Sequence, residues 1–296
     1  MRISIVTDEL SADPETAFEL GLEWGVSEFE LRGVFDGRVP RLPPHLRHRL
    51  IRAVRSFGVG VTAISPGLFK FPLPAAEAGR SNLGWMDREF HQAWSSLEDA
   101  LDDHRRNLLP QAIDLADEVG ARFIVCFSFA RGGRPAGEIP DRVADILGEA
   151  AERAAAAGIG LLVETEEGHF ANSGALSAEL ARRVGHPAFG VNWDPANALI
   201  EGERPFPDGF RAVEPFVRNV HFKDVRTWPG GGWEIVEDGG VDWAGQIAAL
   251  VAENYAGAVA VEPHLSPSVA STRRALTRLR DLVAAAEAEH EKVSTR

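Results

Sequence analysis

Eight short apolar or β-branched runs recur along the chain, and amphipathic stretches separate most of them. The runs are 3–7 (ISIVT), 27–31 (SEFEL), 59–64 (VGVTAI), 123–129 (FIVCFSF), 159–165 (IGLLVET), 189–193 (FGVNW), 218–222 (RNVHF) and 258–262 (AVAVE). Between them, apolar residues return at helical spacing over 14–23, 44–56, 85–118, 140–157, 175–184 and 242–254, and a last helix is expected over 267–288. Asp13 and Pro14 form an N-cap followed by a proline in the first helical position. Ser177 and Asp242 lie near later helix starts. Gly25, Gly58, Gly120, Gly158 and Gly257 each fall between a helix and the next strand, where a left-handed cap is expected.

Eight such alternations in 296 residues predict an α/β fold of the (β/α)8 TIM-barrel type. A doubly wound open sheet is the competitor, but no G-x-G-x-x-G follows the first strand. No linker, low-complexity tract or exact repeat divides the chain, so residues 1–296 read as one domain, with a polar tail over 286–296 expected to fray. Residues 66–95 form the longest irregular stretch, carrying Pro66, Gly67, Pro72, Pro74 and Gly79. A loop of that length in a compact domain is usually functional or disordered.

Composition removes several classes of function. No apolar run reaches the roughly 18 residues of a membrane span, and MRISIVTDEL reads as a first strand rather than a leader. With 31 basic and 44 acidic residues the net charge is −13, which argues against a nucleic-acid partner. The single cysteine, Cys126, excludes an internal disulfide and reads as a small core residue. A cytoplasmic location follows by default.

In a barrel of this kind the chemistry sits at the C-terminal ends of the strands. Four consecutive ends carry metal-ligand chemistry: Glu164 in LLVE, Asp194 in VNWD, His221 in VHF and Glu262 in VAVE. Closure of the barrel brings such ends to one mouth. Three carboxylates and an imidazole form a mostly oxygen donor set, suited to Mn²⁺, with Mg²⁺, Co²⁺ or Zn²⁺ as alternatives. Without a cation, three adjacent carboxylates repel one another. Each residue has a plainer reading as well. Asp194 serves as a helix N-cap, His221 as a structural partner of Asp224, and Glu262 as a solvated turn residue.

Further residues fall on the same face. Lys223, in HFKDVR, either steadies an oxyanion or pairs with Asp224. Glu30 and Arg32, in FELR, either pair with each other or touch a polar substrate. Lys70 follows the third strand within reach of the mouth. His169 and Glu166 line the site or are solvated, while Asn197 and His264 support the ligands or contact substrate. Trp85 and Trp233 fall on loops, as a sugar platform or as packing anchors.

ISIVTDEL, ELR, GVNWDPAN, VHFKD and VAVEPH together resemble the sugar phosphate isomerase/epimerase superfamily, the xylose isomerase-like TIM barrels. The likeness runs over nearly the whole chain, with its specific motifs in the second half. It implies that Glu164, Asp194, His221 and Glu262 bind Mn²⁺ or a similar ion. It also implies that Glu164 and Glu262 are the catalytic acid/base pair, and that Arg226 contacts substrate. One departure stands out: many epimerases carry a histidine three residues after the metal aspartate, where this chain has Asn197.

The function so implied is a divalent-metal-dependent isomerase or epimerase of a ketose or keto-sugar, working through a cis-enediolate. A metal-dependent dehydratase or lyase on a keto-cyclitol or 3-keto-glycoside, resembling inosose dehydratase, uses the same chemistry. A non-catalytic sugar-binding barrel and a metal-independent glycosidase are rivals from other classes. The superfamily also holds endonuclease IV-type repair enzymes, but their multi-zinc clusters need more histidines and a basic face. A small-molecule sugar is the expected partner, and a homo-oligomer is compatible with the sequence.

Overall fold

A computed structural model describes residues 1–74 and 94–294. Eight parallel strands close into a barrel: β1 (Arg2–Val6), β2 (Glu28–Leu31), β3 (Gly60–Leu68), β4 (Phe123–Cys126), β5 (Gly160–Glu164), β6 (Phe189–Trp193), β7 (Val217–Phe222) and β8 (Ala258–Val261). Each strand pairs with its neighbours in sequence, and β1 closes the ring against both β2 and β8. All eight apolar runs of the sequence became these strands. Four-residue runs such as AVAV in β8 are buried throughout, as expected for strands covered on both faces.

The helices between them are α1 (Pro14–Glu23), α2 (Pro44–Phe57), α3 (Leu109–Val119), α4 (Asp141–Ala155), α5 (Gly174–Val184), α6 (Pro195–Ile200), α7 (Trp243–Ala252) and α8 (Ser268–Ser294). Helix α4 shows why they pack on the barrel. Its buried residues, Val143, Ile146, Leu147, Ala150, Ala151 and Ala154, recur at three- and four-residue intervals and form one stripe. A short helix, Leu97–Asp103, leads into α3 through the π-helical turn His104–Leu108. The N-terminal part of the helix expected over 85–118 lies outside the described residues, as does Trp85.

Local expectations held in part. Asp13 accepts the Thr16 amide and Asp242 accepts the Gly245 amide as N-caps. The cap of α5 is Ser173, not Ser177, whose hydroxyl is buried 2.9 Å from Thr165 Oγ1. Gly257 does not adopt a left-handed cap. It is small because a Cβ there would sit 2.1 Å from Tyr255 Oη and 2.6 Å from the Arg218 carbonyl. Helix α8 continues into the polar tail as far as Ser294. No helix among the described residues is long and apolar enough to cross a membrane.

Candidate metal centre

The C-terminal end of the barrel gathers four polar side chains. Glu164 is the last residue of β5, Asp194 follows β6, His221 is the penultimate residue of β7, and Glu262 follows β8. One ligand atom from each lies within 4.8 Å of the others. All four are buried, with exposures of 5%, 0%, 2% and 3%.

Each side chain is aimed by its neighbours. His221 Nδ1 lies 3.2 Å from Glu164 Oε1 and 3.1 Å from Glu262 Oε2. Asp194 does cap α6, its Oδ1 accepting the Asn197 amide at 3.0 Å. Its other oxygen accepts from Lys223 Nζ at 2.6 Å and from Asn197 Nδ2 at 3.1 Å, so the cap and the cluster share one carboxylate. Glu262 Oε1 accepts from Arg32 and lies 3.3 Å from His264 Nε2. Its Oε2 is buried without a hydrogen-bond partner.

Burial and charge oppose one another here. Burial raises the Glu164 carboxyl above its ordinary range, against the pull of His221. Burial likewise raises Asp194, outweighing Lys223. Burial works to raise Glu262 too, but His221, His264, Lys223 and Arg32 outweigh it and hold this carboxyl well below the usual range. For His221, burial is overcome by Glu262, Glu30 and Glu164, which raise it. Lys223 is raised in the same way, chiefly by Asp194.

This cluster fits a divalent cation. Buried carboxylates are costly unless compensated, and here Lys223 engages one oxygen of Asp194 and Arg32 one oxygen of Glu262, while all three carboxylates still converge on one imidazole. Glu262 Oε2 stands buried without a hydrogen bond, with His221 Nδ1 at 3.1 Å and Lys223 Nζ at 3.7 Å as its nearest charged neighbours. A divalent ion at that point would satisfy this oxygen and offset the mutual repulsion. Beside the cluster lies a cavity of about 400 Å³, lined among others by Arg32, Lys70, Phe127, Glu166, Trp233 and His264.

A family profile for xylose isomerase-like TIM barrels matches residues 18–282. The chain belongs to that family. Among solved structures, an L-ribulose 3-epimerase is 21% identical with a TM-score of 0.69, covering 100% of this chain and 98% of that one. A xylose isomerase domain protein from Planctomyces limnophilus is 19% identical with a TM-score of 0.69, covering 99% and 98%. An IOLI protein with a bound zinc atom is 15% identical with a TM-score of 0.71, covering 96% and 98%. At these identities the likeness establishes a shared fold. No curated protein matches the sequence.

Within this xylose isomerase-like barrel, Lys70, Lys223, Asn197 and His264 all line the cavity. Lys70 Nζ pairs with Glu166 Oε1 at 3.0 Å and lies 4.6 Å from the centre of the Phe127 ring. Burial would raise Glu166, yet Lys70, His169 and Lys223 bring it down to about 2. Asn197 Nδ2 also donates to the Thr165 carbonyl and to Glu166, both at 3.0 Å.

Other expectations are corrected. Arg226 does not reach the cavity. The hairpin Asp224–Trp228/Gly232–Val236 pairs it with Glu234, directly across the register, and turns both toward solvent. Lys223 pairs with Asp194, not with Asp224, which instead accepts from Arg278. His221 therefore has no structural partner in Asp224. His169 is buried against Phe127, its Nδ1 2.7 Å from the Glu167 carbonyl, and is not among the cavity-lining residues. Glu30 does not pair with Arg32 and does not line the cavity; it is fully buried inside the barrel. Successive strand residues point to opposite faces, but Glu30 and Arg32 are two apart and still diverge, because Arg32 lies beyond the end of β2.

Arg32 is the main group underestimated from sequence. It reaches Asp8 through Nε at 3.0 Å, Glu9 through Nη2 at 2.8 Å, and Glu262. Glu9 in turn lies 2.8 Å from His264 Nδ1 and accepts the His264 amide at 3.1 Å. Asp8 and Glu9 follow β1 in TDEL, so the strand-end rule applied to the first strand would have found them. Asn192 and Asn219, inside β6 and β7, carried no such signal.

Proposed function

We propose that this protein is a divalent-metal-dependent isomerase or epimerase of a ketose or keto-sugar, acting through a cis-enediolate. The observation that carries this reading is the convergence of Glu164, Asp194, His221 and Glu262 within 4.8 Å beside a polar cavity. The L-ribulose 3-epimerase of the same fold supports it by analogy. Mn²⁺ is the ion we assign, because the donors are mostly oxygen.

When bound, the ion supplies Lewis-acid polarisation of a carbonyl and its neighbouring hydroxyl, acidifying the C–H between them. The chain's own residues do the rest. One of Glu164 and Glu262 takes the proton, and the other returns one. Return to the opposite face gives an epimer; return to the adjacent carbon gives an aldose–ketose isomer. Arg32 and His264 hold one oxygen of Glu262, which keeps the other facing the cluster. The Lys223 ammonium, buried beside Asp194, is placed to steady developing oxyanion charge. Lys70, Glu166 and Asn197 offer hydroxyl partners on one wall, and Trp233 offers an apolar face for the C–H side of a sugar ring.

The test is incubation of the Mn²⁺-loaded protein in D₂O with a panel of ketoses and keto-cyclitols. Deuterium should enter at the carbon next to the carbonyl, and a chelator should stop it. Product analysis then separates an epimer, an aldose and a dehydrated enone. Absence of exchange across the panel would leave a binding barrel as the better account.

A further inference from the structure

Directly behind His221, the barrel interior holds polar side chains that the proposed reaction does not use. Glu30, from β2, has no exposed surface. Its carboxylate lies 3.1 and 3.2 Å from His221 Nε2. It also accepts from Asn219 Nδ2 at 3.0 Å and from the Ser65 hydroxyl. Asn219 gives its second N–H to Asn192 Oδ1 at 2.9 Å. The Asn192 amide nitrogen lies 3.1 and 3.3 Å from the two ring nitrogens of His221. The network thus draws on β2, β3, β6 and β7 and meets the imidazole at its nitrogens.

A carboxylate in a barrel core needs a reason. Glu30 has no exposed surface, so its charge is wholly desolvated and only its contacts inside the barrel can offset that cost. Glu30 cannot meet substrate, since it does not line the cavity. What it does meet is one particular ring nitrogen. A neutral imidazole has one N–H and one lone pair, and the partner of the first decides where the second points. With Nε2–H donated to Glu30, the Nδ1 lone pair faces Glu164 and Glu262.

We propose that Glu30 is a positioning residue. It holds the His221 ring with Nε2 protonated and so makes Nδ1 the ligating nitrogen of the four-residue cluster. Ser65 and Asn219 fix the Glu30 carboxylate, and Asn192 Oδ1 in turn holds Asn219. This inference rests on the divalent-ion reading of the cluster.

Binding of Mn²⁺ alone tests it, followed by the electron paramagnetic resonance signal of the free ion. Glu30→Gln keeps the side-chain volume. Its amide oxygen still accepts from His221, and its nitrogen donates to Ser65, but the carboxylate charge is gone. Mn²⁺ affinity should fall about 10- to 100-fold. An affinity equal to wild type, with the variant folded, overturns the role of Glu30 and leaves the ion site standing. If the wild-type protein itself retains no Mn²⁺, the reading of the cluster fails first. A second readout needs no variant: nitrogen NMR of ¹⁵N-histidine-labelled, Mg²⁺-loaded wild type. It should show the His221 proton on Nε2. A proton on Nδ1 overturns the inference, and a purely packing role for Glu30 would not set it.

Discussion

At the scale of single residues, the two glutamates are not equivalent. Glu262 is gripped by Arg32 and His264, whereas Glu164 pairs with His221 and, among the described residues, with no arginine or lysine. Glu262→Gln leaves an acceptor for Arg32 but cannot take a proton. At saturating Mn²⁺, deuterium exchange should fall about 10²- to 10⁴-fold, the usual span for a general base. Exchange at the wild-type rate would show that Glu262 is not the proton-transfer group. A second residue-scale prediction lies away from the ion. His104 is buried among Phe69, Phe71 and Trp94, and its Nδ1 accepts the Phe69 amide at 2.9 Å. Burial, reinforced by Arg41, pushes its pKa down from 6.5 to about 3. The unfolded chain therefore binds this proton first as pH falls. Stability contributed by neutral His104 is full above pH 6.5 and is lost between 6.5 and 3, with a slope of up to about 1.4 kcal/mol per pH unit. Unfolding of wild type and His104→Gln, compared across that window, should show the two curves converging toward acid pH. Parallel curves would contradict it.

At the scale of elements, close backbone approach matters as much as propensity. Gly174 opens α5, where alanine would ordinarily favour the helix by about 0.5–1 kcal/mol. A Cβ at this position would sit 2.2 Å from the Gly209 carbonyl oxygen, a backbone atom rather than the far end of a flexible side chain. Gly174→Ala should therefore destabilise the protein by about 1–3 kcal/mol in urea unfolding. A gain in stability would mean that the Gly209 turn yields easily. The hairpin after β7 is the other informative element. It brings Val225, Trp233 and Ile235 over the cavity while pairing Arg226 with Glu234 outside it. Trp233 touches the cavity but no member of the ion cluster by hydrogen bond, so it offers uniform binding rather than chemistry. Trp233→Ala should raise KM about tenfold with kcat largely kept; a collapse of kcat would place Trp233 closer to the reacting atoms. The strand-end rule found the four cluster residues, because each side chain's place depends only on where its own strand stops. It could not foresee the fate of Arg226, since a hairpin's register is decided by pairing with residues beyond the motif.

At the scale of the whole molecule, the cluster links four consecutive strands of the barrel wall, β5 through β8, with Arg32 tying in β2 and the β1 exit. An ion bound only by the folded barrel stabilises it by mass action, about 2.7 kcal/mol at a free concentration one hundred times Kd. Saturating Mn²⁺ should raise Tm, a chelator should reverse the rise, and the midpoint should move with ion concentration. A Tm indifferent to Mn²⁺, Mg²⁺, Co²⁺ and Zn²⁺ would remove the ion from the account of this fold.

The alternation of strand and helix, the order of strands around the barrel and the placing of Glu164, Asp194, His221 and Glu262 at its mouth all depend on local periodicity and short connections, and the sequence determined these by itself. Only the tertiary structure decided which charges meet. Lys223 turned to Asp194, Arg32 to Glu262, and Glu30 inward to His221. Each of those choices pairs residues 29 to 230 positions apart. Barrel closure sets such distances, and the cost of burying an uncompensated charge then selects the partner.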